Sequence, residues 1–287
     1  MQAFLITAYK DEKQLTKLIE RVSQIGYVYV HVDTKSKEID VEKLNSMGFK
    51  DTEIISKYKI YWGAMNHVHA ILDLMRKALD NPKIHYIHII SGQDYPVRSN
   101  DDFINTFDED YRSIHMSCSD RGVYDSGVVD RYALVHPSVN MDPTSFMARA
   151  INKIALGFQH TFKIRKQGIG EFRDVYKGMI YMSAPRDAAQ YVLDYLKEHP
   201  RFLKDLQYAH IPEEFLFQTV LKNSGFAENV TGVSLRYNDW AGGDGKSPAY
   251  INEEKYDEIK HGEYFFARKI MTGMSDRLLD RLENVEG

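Results

Sequence analysis

A chain of 287 residues, 43% hydrophobic and 27% charged, has the composition of an ordinary globular protein and a length that one α/β body can fill. Its formal net charge of −4 argues against a nucleic-acid binder, which would carry a basic face. One cysteine, Cys118, excludes an internal disulfide framework and a cysteine zinc site, and suits a reducing cytoplasm.

The opening MQAFLITAYK holds an apolar run too short to span a membrane and lacks a signal-peptide layout, so it reads as a first strand, Ala3–Ala8. Leu15, Leu18, Ile19 and Val22 predict a helix over Asp11–Gln24. A strand over Tyr27–Asp33, a short helix near Asp40–Ser46 and an extended stretch over Thr52–Tyr61 follow. Met65, Val68, Ile71, Leu72 and Met75 put an apolar stripe on a long helix, Ala64–Leu79, ended by Asn81-Pro82. The β-branched run Ile84–Ile90 predicts a buried strand, and Asp101–Phe107 an amphipathic helix. This alternation predicts an α/β fold with a mostly parallel sheet flanked by helices.

Residues 117–170 are less regular and include a mixed apolar–basic helix, Ser145–Phe158. A strand over Lys177–Ser183, a helix after Pro185 and another over Glu213–Asn223 restore the pattern. Short strands then frame a Gly-rich loop, Trp240–Gly245, before a charged helical end. Without repeats or a linker, the chain is expected to form a single domain, 1–287.

Two predicted strands discharge into polar residues: Tyr27–Asp33 into Thr34-Lys35-Ser36, and Ile84–Ile90 into Ser91-Gly92-Gln93-Asp94. Open α/β sheets present ligand sites at such carboxyl ends, and the residue types suit a nucleotide or a sugar. Metal signals are weak. His67 and His69 fall on different helix faces, His85 and His88 on opposite strand faces, and no HExxH occurs. Asp108-Glu109-Asp110 imitates an Asp-x-Asp metal motif but follows an amphipathic helix, as a solvated helix end would. With one carboxylate, Asp94, at the strand tip, a diphosphate would be neutralised by side-chain cations; Arg236 and Lys269, each after an aromatic or apolar run, are candidates. Ala241–Ser247 imitates the end of a P-loop, but Trp240 stands where glycine is required. Ala8-Tyr9-Lys10 replaces the glycine loop of a dinucleotide fold. Glu213 and Glu214, after Pro212, are either helix-start stabilisers or a fixed general base.

Seven segments together resemble the Core-2/I-branching glycosyltransferase family, which holds N-acetylglucosaminyltransferases and peptide O-xylosyltransferases. They are VHVDTKS (30–36), YWGAMNHVHAILDLM (61–75), YIHIISGQDYPVRSN (86–100), YKGMIYMS (176–183), PEEFLFQTVLKNSGF (212–226), LRYNDW (235–240) and FARK (266–269). The resemblance implies a GT-A-like α/β fold and inverting, metal-independent transfer from a UDP-sugar, most simply UDP-N-acetylglucosamine, with no cofactor. It implies a nucleotide-binding half, 1–116, and an acceptor and catalytic half, 117–287.

By position, Glu214 resembles the family's base. Glu213 stands where the family usually has Asp, which leaves both carboxylates as candidates. Arg236 and Lys269 resemble the pair that grips the donor diphosphate. Thr7, Ala8, Tyr9, Asp33, Thr34 and Lys35 resemble uridine-side contacts, with Tyr61 or Trp62 near the nucleotide. Asp94, Asp120, Arg131, Tyr132, Glu213 and Trp240 are expected on the acceptor side. The implied partners are a UDP-sugar donor and a glycan or lipid-linked saccharide acceptor, not nucleic acid. The expected location is cytoplasmic, with peripheral contact at the inner membrane face to which the basic cluster Lys163–Lys166 could contribute. The same machinery in a UDP-xylose or UDP-hexose transferase, and a nucleotide-sugar or carbohydrate binder without turnover, are the alternative readings.

Overall fold

The structure, a computed structural model, describes residues 1–241 and 248–283. The P-loop-like segment and the Gly-rich loop lie outside the described residues from 242 onward. In chain order the elements begin with β1 (Gln2–Ala8), α1 (Glu12–Val22), β2 (Gly26–Val32), α2 (Val41–Ser46), β3 (Thr52–Ile55), α3 (Met65–Asp80) and β4 (Tyr86–Ser91). Next come β5 (Tyr95–Pro96), α4 (Asn100–Thr106), β6 (His115–Met116), α5 (Ser126–Ala133), α6 (Phe146–Thr161) and β7 (Met182–Pro185). The chain continues with α7 (Arg186–Glu198), α8 (Pro200–Leu206), α9 (Leu216–Lys222), β8 (Arg236–Asn238), α10 (Tyr256–His261), β9 (Phe266–Arg268) and α11 (Asp276–Glu283).

Two of these depart from the sequence expectation for local reasons. The expected strand Lys177–Ser183 is regular only from Met182. Before it, side-chain hydroxyls act in place of a partner strand: Lys177 N donates to Ser119 Oγ (3.2 Å) and Met179 N to Ser117 Oγ (2.7 Å). The expected helix Glu213–Asn223 is divided into a one-turn 3-10 helix, Pro212–Glu214, and α9. Ile211 has φ of 59° there, and Phe215 N donates to Pro212 O at 3.1 Å, closing a tight turn instead of an α-helical one.

The chain forms two compact units. One comprises residues 1–57, 77–112 and 234–287, the other 58–76 and 113–233. These boundaries differ from the expected halves at 116/117, because the C-terminal segment is part of the first unit.

In the first unit the parallel strands run β3-β2-β1-β4. Every residue of β1 is buried, and β4 is buried up to Ser91, as befits strands covered on both faces. Their polar members are satisfied inside: Gln2 Nε2 donates to Phe103 O (2.7 Å), and Gln2 Oε1 lies 2.9 Å from His88 Nε2. His88 also stacks on Phe4, so it is a core histidine. Asp11 caps α1 by accepting from Gln14 N at 3.2 Å, a geometry that fixes where the chain leaves β1. A second, small sheet is ordered β5-β9-β8. Since β2 and β4 lie on opposite sides of β1, strand order reverses between β1 and β4, the point at which open α/β sheets place ligand sites, at the carboxyl ends of the strands.

In the second unit β6 pairs antiparallel with β7, and α7 packs against α8 and α9. Phe202, Phe215 and Phe217 are fully buried there. Among the described residues no helix is long and apolar enough to cross a membrane.

Candidate functional site

Within the first unit the strand ends assemble a polar rim. Asp33 N donates to Ala8 O (2.8 Å), and Gly92 N to Thr7 O (2.9 Å), which continues the sheet hydrogen bonding to the tips. Asp33 is buried and shapes its own loop: its carboxylate accepts from Lys35 N (2.9 Å) and lies 3.6 Å from Lys35 Nζ. Thr34, Lys35 and Tyr9 remain exposed. Lys10, directly after β1, was not anticipated as a site residue. Its ammonium donates to Tyr250 Oη at 2.7 Å and lies over the Tyr9 and Tyr250 rings. Its place at the carboxyl end of a central strand was the available signal. Lys269 follows β9 and is half-buried; Ile251 N donates to its carbonyl at 3.0 Å. Trp240 is exposed.

Two expected site residues stand elsewhere. Arg236 and Asp94 are buried against each other, Nε to Oδ1 at 3.2 Å, and neither side chain is exposed. Arg236 Nη2 also donates to Ile89 O (2.6 Å), and Asp94 Oδ2 accepts from Ser91 N and Oγ (2.7 and 2.6 Å). As placed, they tie β8 to the tip of β4, with both side chains out of contact with solvent.

The second unit gathers a different set. Glu214 is half-buried, and its Oε2 receives two cations, Arg131 Nη1 at 3.2 Å and Lys177 Nζ at 3.0 Å. Three backbone contacts position the carboxylate: Glu214 N donates to Ile211 O (3.1 Å), Gly178 N to Glu214 O (2.9 Å), and His210 N to Arg131 O (2.7 Å). Gly178 is required by proximity, since a Cβ there would lie 1.7 Å from the Ser117 carbonyl oxygen. Ile211 N donates to Gly63 O, which sets the exposed Trp62 edge-on to His210 with ring centroids 5.3 Å apart. Tyr61 beside it is half-buried.

Glu213 turns the other way. It is buried, with Oε1 3.5 Å from His67 Nδ1, and its Oε2 has no hydrogen-bond partner among the described residues. Burial lowers the pKa of His210 below the ordinary histidine value, with His136 and Arg131 adding to the shift and Glu213 opposing it. Tyr132 is buried with its ring against Phe215. An open cavity of about 500 Å³ is lined by Ser119–Asp125, Val128 and Lys177. Asp120 is exposed at its wall. Lys177, missed in the sequence as an ordinary charge before an irregular strand, thus joins this cavity to Glu214.

Asp108, Glu109 and Asp110 are exposed beyond α4. Among the described residues no three His, Cys, Asp or Glu side chains gather into a metal-holding group.

A carboxylate clamped by two cations beside a polar cavity, and strand tips that carry lysines and a tyrosine, suit an α/β enzyme of polar substrates. The Core-2/I-branching enzyme family model matches residues 2–263, and the chain belongs to that family of glycosyltransferases. No curated protein matches it. Partial likenesses to solved structures include S. aureus TarS 1-349 in complex with UDP-GlcNAc, 14% identical over 47% of this chain and 44% of that one, with a TM-score of 0.29. A second S. aureus TarS structure is 16% identical over 44% of this chain and 24% of that one, TM-score 0.29. HddC from Yersinia pseudotuberculosis is 11% identical over 47% and 63%, TM-score 0.27. The chain therefore spans less than two thirds of each of these proteins.

Proposed function

We propose that this chain transfers a sugar, N-acetylglucosamine first among the candidates, from a UDP-sugar to a hydroxyl of a glycan or lipid-linked saccharide in the cytoplasm. The reaction inverts the anomeric centre and needs no metal ion. The observation that carries this reading is Glu214: both cations hold Oε2, so the carboxylate is oriented while Oε1 makes no hydrogen bond to a described residue. Oε1 takes the proton of the acceptor hydroxyl as that oxygen attacks the anomeric carbon and the bond to UDP breaks. Burial of Glu213 favours Glu214 over its neighbour for this role. The cavity at Asp120 and Lys177 suits the acceptor's hydroxyls.

On the donor side, Lys10, Lys35 and Lys269 are the cations suited to meet the charge that grows on departing UDP. Arg236 supports them indirectly, by fixing the strand from which the Asp94 loop springs. A panel of UDP-sugars, assayed for donor hydrolysis and for transfer onto sugar acceptors with product mass spectrometry, tests the reading. UDP release from UDP-N-acetylglucosamine above the other donors is the expected result. Tight UDP binding without release from any donor would leave a binding protein instead.

A further inference from the structure

Helix α6 leaves a large apolar stripe uncovered. Its inward side holds Ala148 and Gln159, both buried, and the Gln159 amide brackets Val135, accepting from its N–H and donating to its carbonyl at 2.8 Å each. The adjoining side carries Met147, Ile151, Ile154 and Phe158, spaced at i, i+4, i+7 and i+11. All four are exposed, Ile154 at 74% and Phe158 at 55%, and Phe146 at the start and Phe162 just past the end are exposed as well. A run of large apolar side chains on one solvent-facing helix is unusual for a surface at rest in water.

The charge of the same segment is one-sided. From Pro143 to Gly170 there is no Asp or Glu, while Arg149, Lys153, Lys163, Arg165 and Lys166 supply five cations in a chain whose net charge is −4. Arg165 pairs with Asp130 and Lys166 donates to the Asp205 carbonyl; Arg149, Lys153 and Lys163 have no ion pair among the described residues. A second copy of this chain on a two-fold axis would bring these cations against their own images, which disfavours a dimer through this face. An anionic, oily partner satisfies both features.

We infer that α6 and its C-terminal extension to Gly170 dock on an anionic lipid surface, with the stripe Met147–Phe158 set among the acyl chains and the unpaired cations at the headgroups. This is peripheral binding by a helix lying in the interface plane and does not depend on the assigned reaction.

The test is flotation of the full chain with phosphatidylglycerol–phosphatidylcholine vesicles and with phosphatidylcholine vesicles alone. The wild-type chain is expected to float with the anionic vesicles and to lose part of that binding at high salt. Ile154→Glu with Phe158→Glu is expected to weaken binding on the order of tenfold or more, with an unchanged thermal melt because both side chains are already exposed. Lys153→Glu with Lys163→Glu should remove the preference for anionic vesicles. The inference is overturned if the wild-type chain stays unbound, or if the Ile154→Glu, Phe158→Glu variant floats as well as wild type. It is equally overturned if sedimentation shows a dimer that this variant dissociates while vesicles capture neither protein.

Discussion

Arg236 and Asp94 meet as a fully buried ion pair, 3.2 Å apart, at the join between the small sheet and the tip of β4. The desolvation of two charges is offset only because Asp94 also accepts two bonds from Ser91 and Arg236 also donates to Ile89 O. Removal of one partner strands the other. Arg236→Ala is expected to cost about 3 kcal/mol or more of stability, seen as a lower midpoint in denaturant. Lys269→Ala, at a half-buried position, is expected to weaken UDP binding in calorimetry and to lower that midpoint less than Arg236→Ala does. Equal stability losses in both variants would contradict this division.

Glu214→Gln keeps the size of the side chain and removes its ability to accept a proton. Turnover should fall by about 10²–10⁴-fold, with UDP affinity nearly unchanged. Glu213→Gln should instead act mainly on the melting temperature, since that carboxylate is buried beside His67. Wild-type turnover in Glu214→Gln would remove the assigned base.

Arg131 and Lys177 hold one oxygen of the same carboxylate. Loss of either, as Arg131→Met or Lys177→Met, frees Glu214 to rotate away from the acceptor and should lower kcat by roughly tenfold. Gly178→Ala should lower both kcat and melting temperature, because its methyl group would collide with the Ser117 carbonyl and displace Lys177.

Transfer is expected to continue unchanged in EDTA. Rates abolished by the chelator and restored by Mn²⁺ would assign the donor's charge to an ion instead of lysines.

Three histidines link folding to acidity. Burial lowers the pKa of His115 from 6.5 to about 4, and it lowers those of His136 and His210 as well. Each is neutral in the folded protein at pH 7, and the unfolded chain binds the proton more readily. Their contribution to stability is full above about 6.5, the unfolded value, and is lost as pH falls through the folded values. A melting temperature that drops between pH 7 and pH 4, with a shallower drop in His115→Gln, is the expected profile.

Much of the first unit was legible because periodicity reports burial directly. The seven buried residues of β1 and the Leu15–Val22 stripe of α1 appear close to where the pattern put them. The second unit was harder, since side-chain hydroxyls and a left-handed Ile211 replace ladder bonds there, and neither leaves a period in the sequence. The aromatic or apolar runs before Arg236 and Lys269 likewise marked both as candidate cations without telling that Arg236 is buried against Asp94. Burial decides that, and burial of a polar side chain is a tertiary property.

Because the one-turn 3-10 helix Pro212–Glu214 delivers Glu213 to His67 and Glu214 to two cations, the link from Ile211 to Phe215 works as a ruler. One residue more or fewer would shift both carboxylates out of register, emptying the seat beside Lys177 or the one beside His67. In this stretch chain length is as binding a constraint as side-chain identity, so a one-residue insertion or deletion should cost turnover as surely as the loss of Glu214.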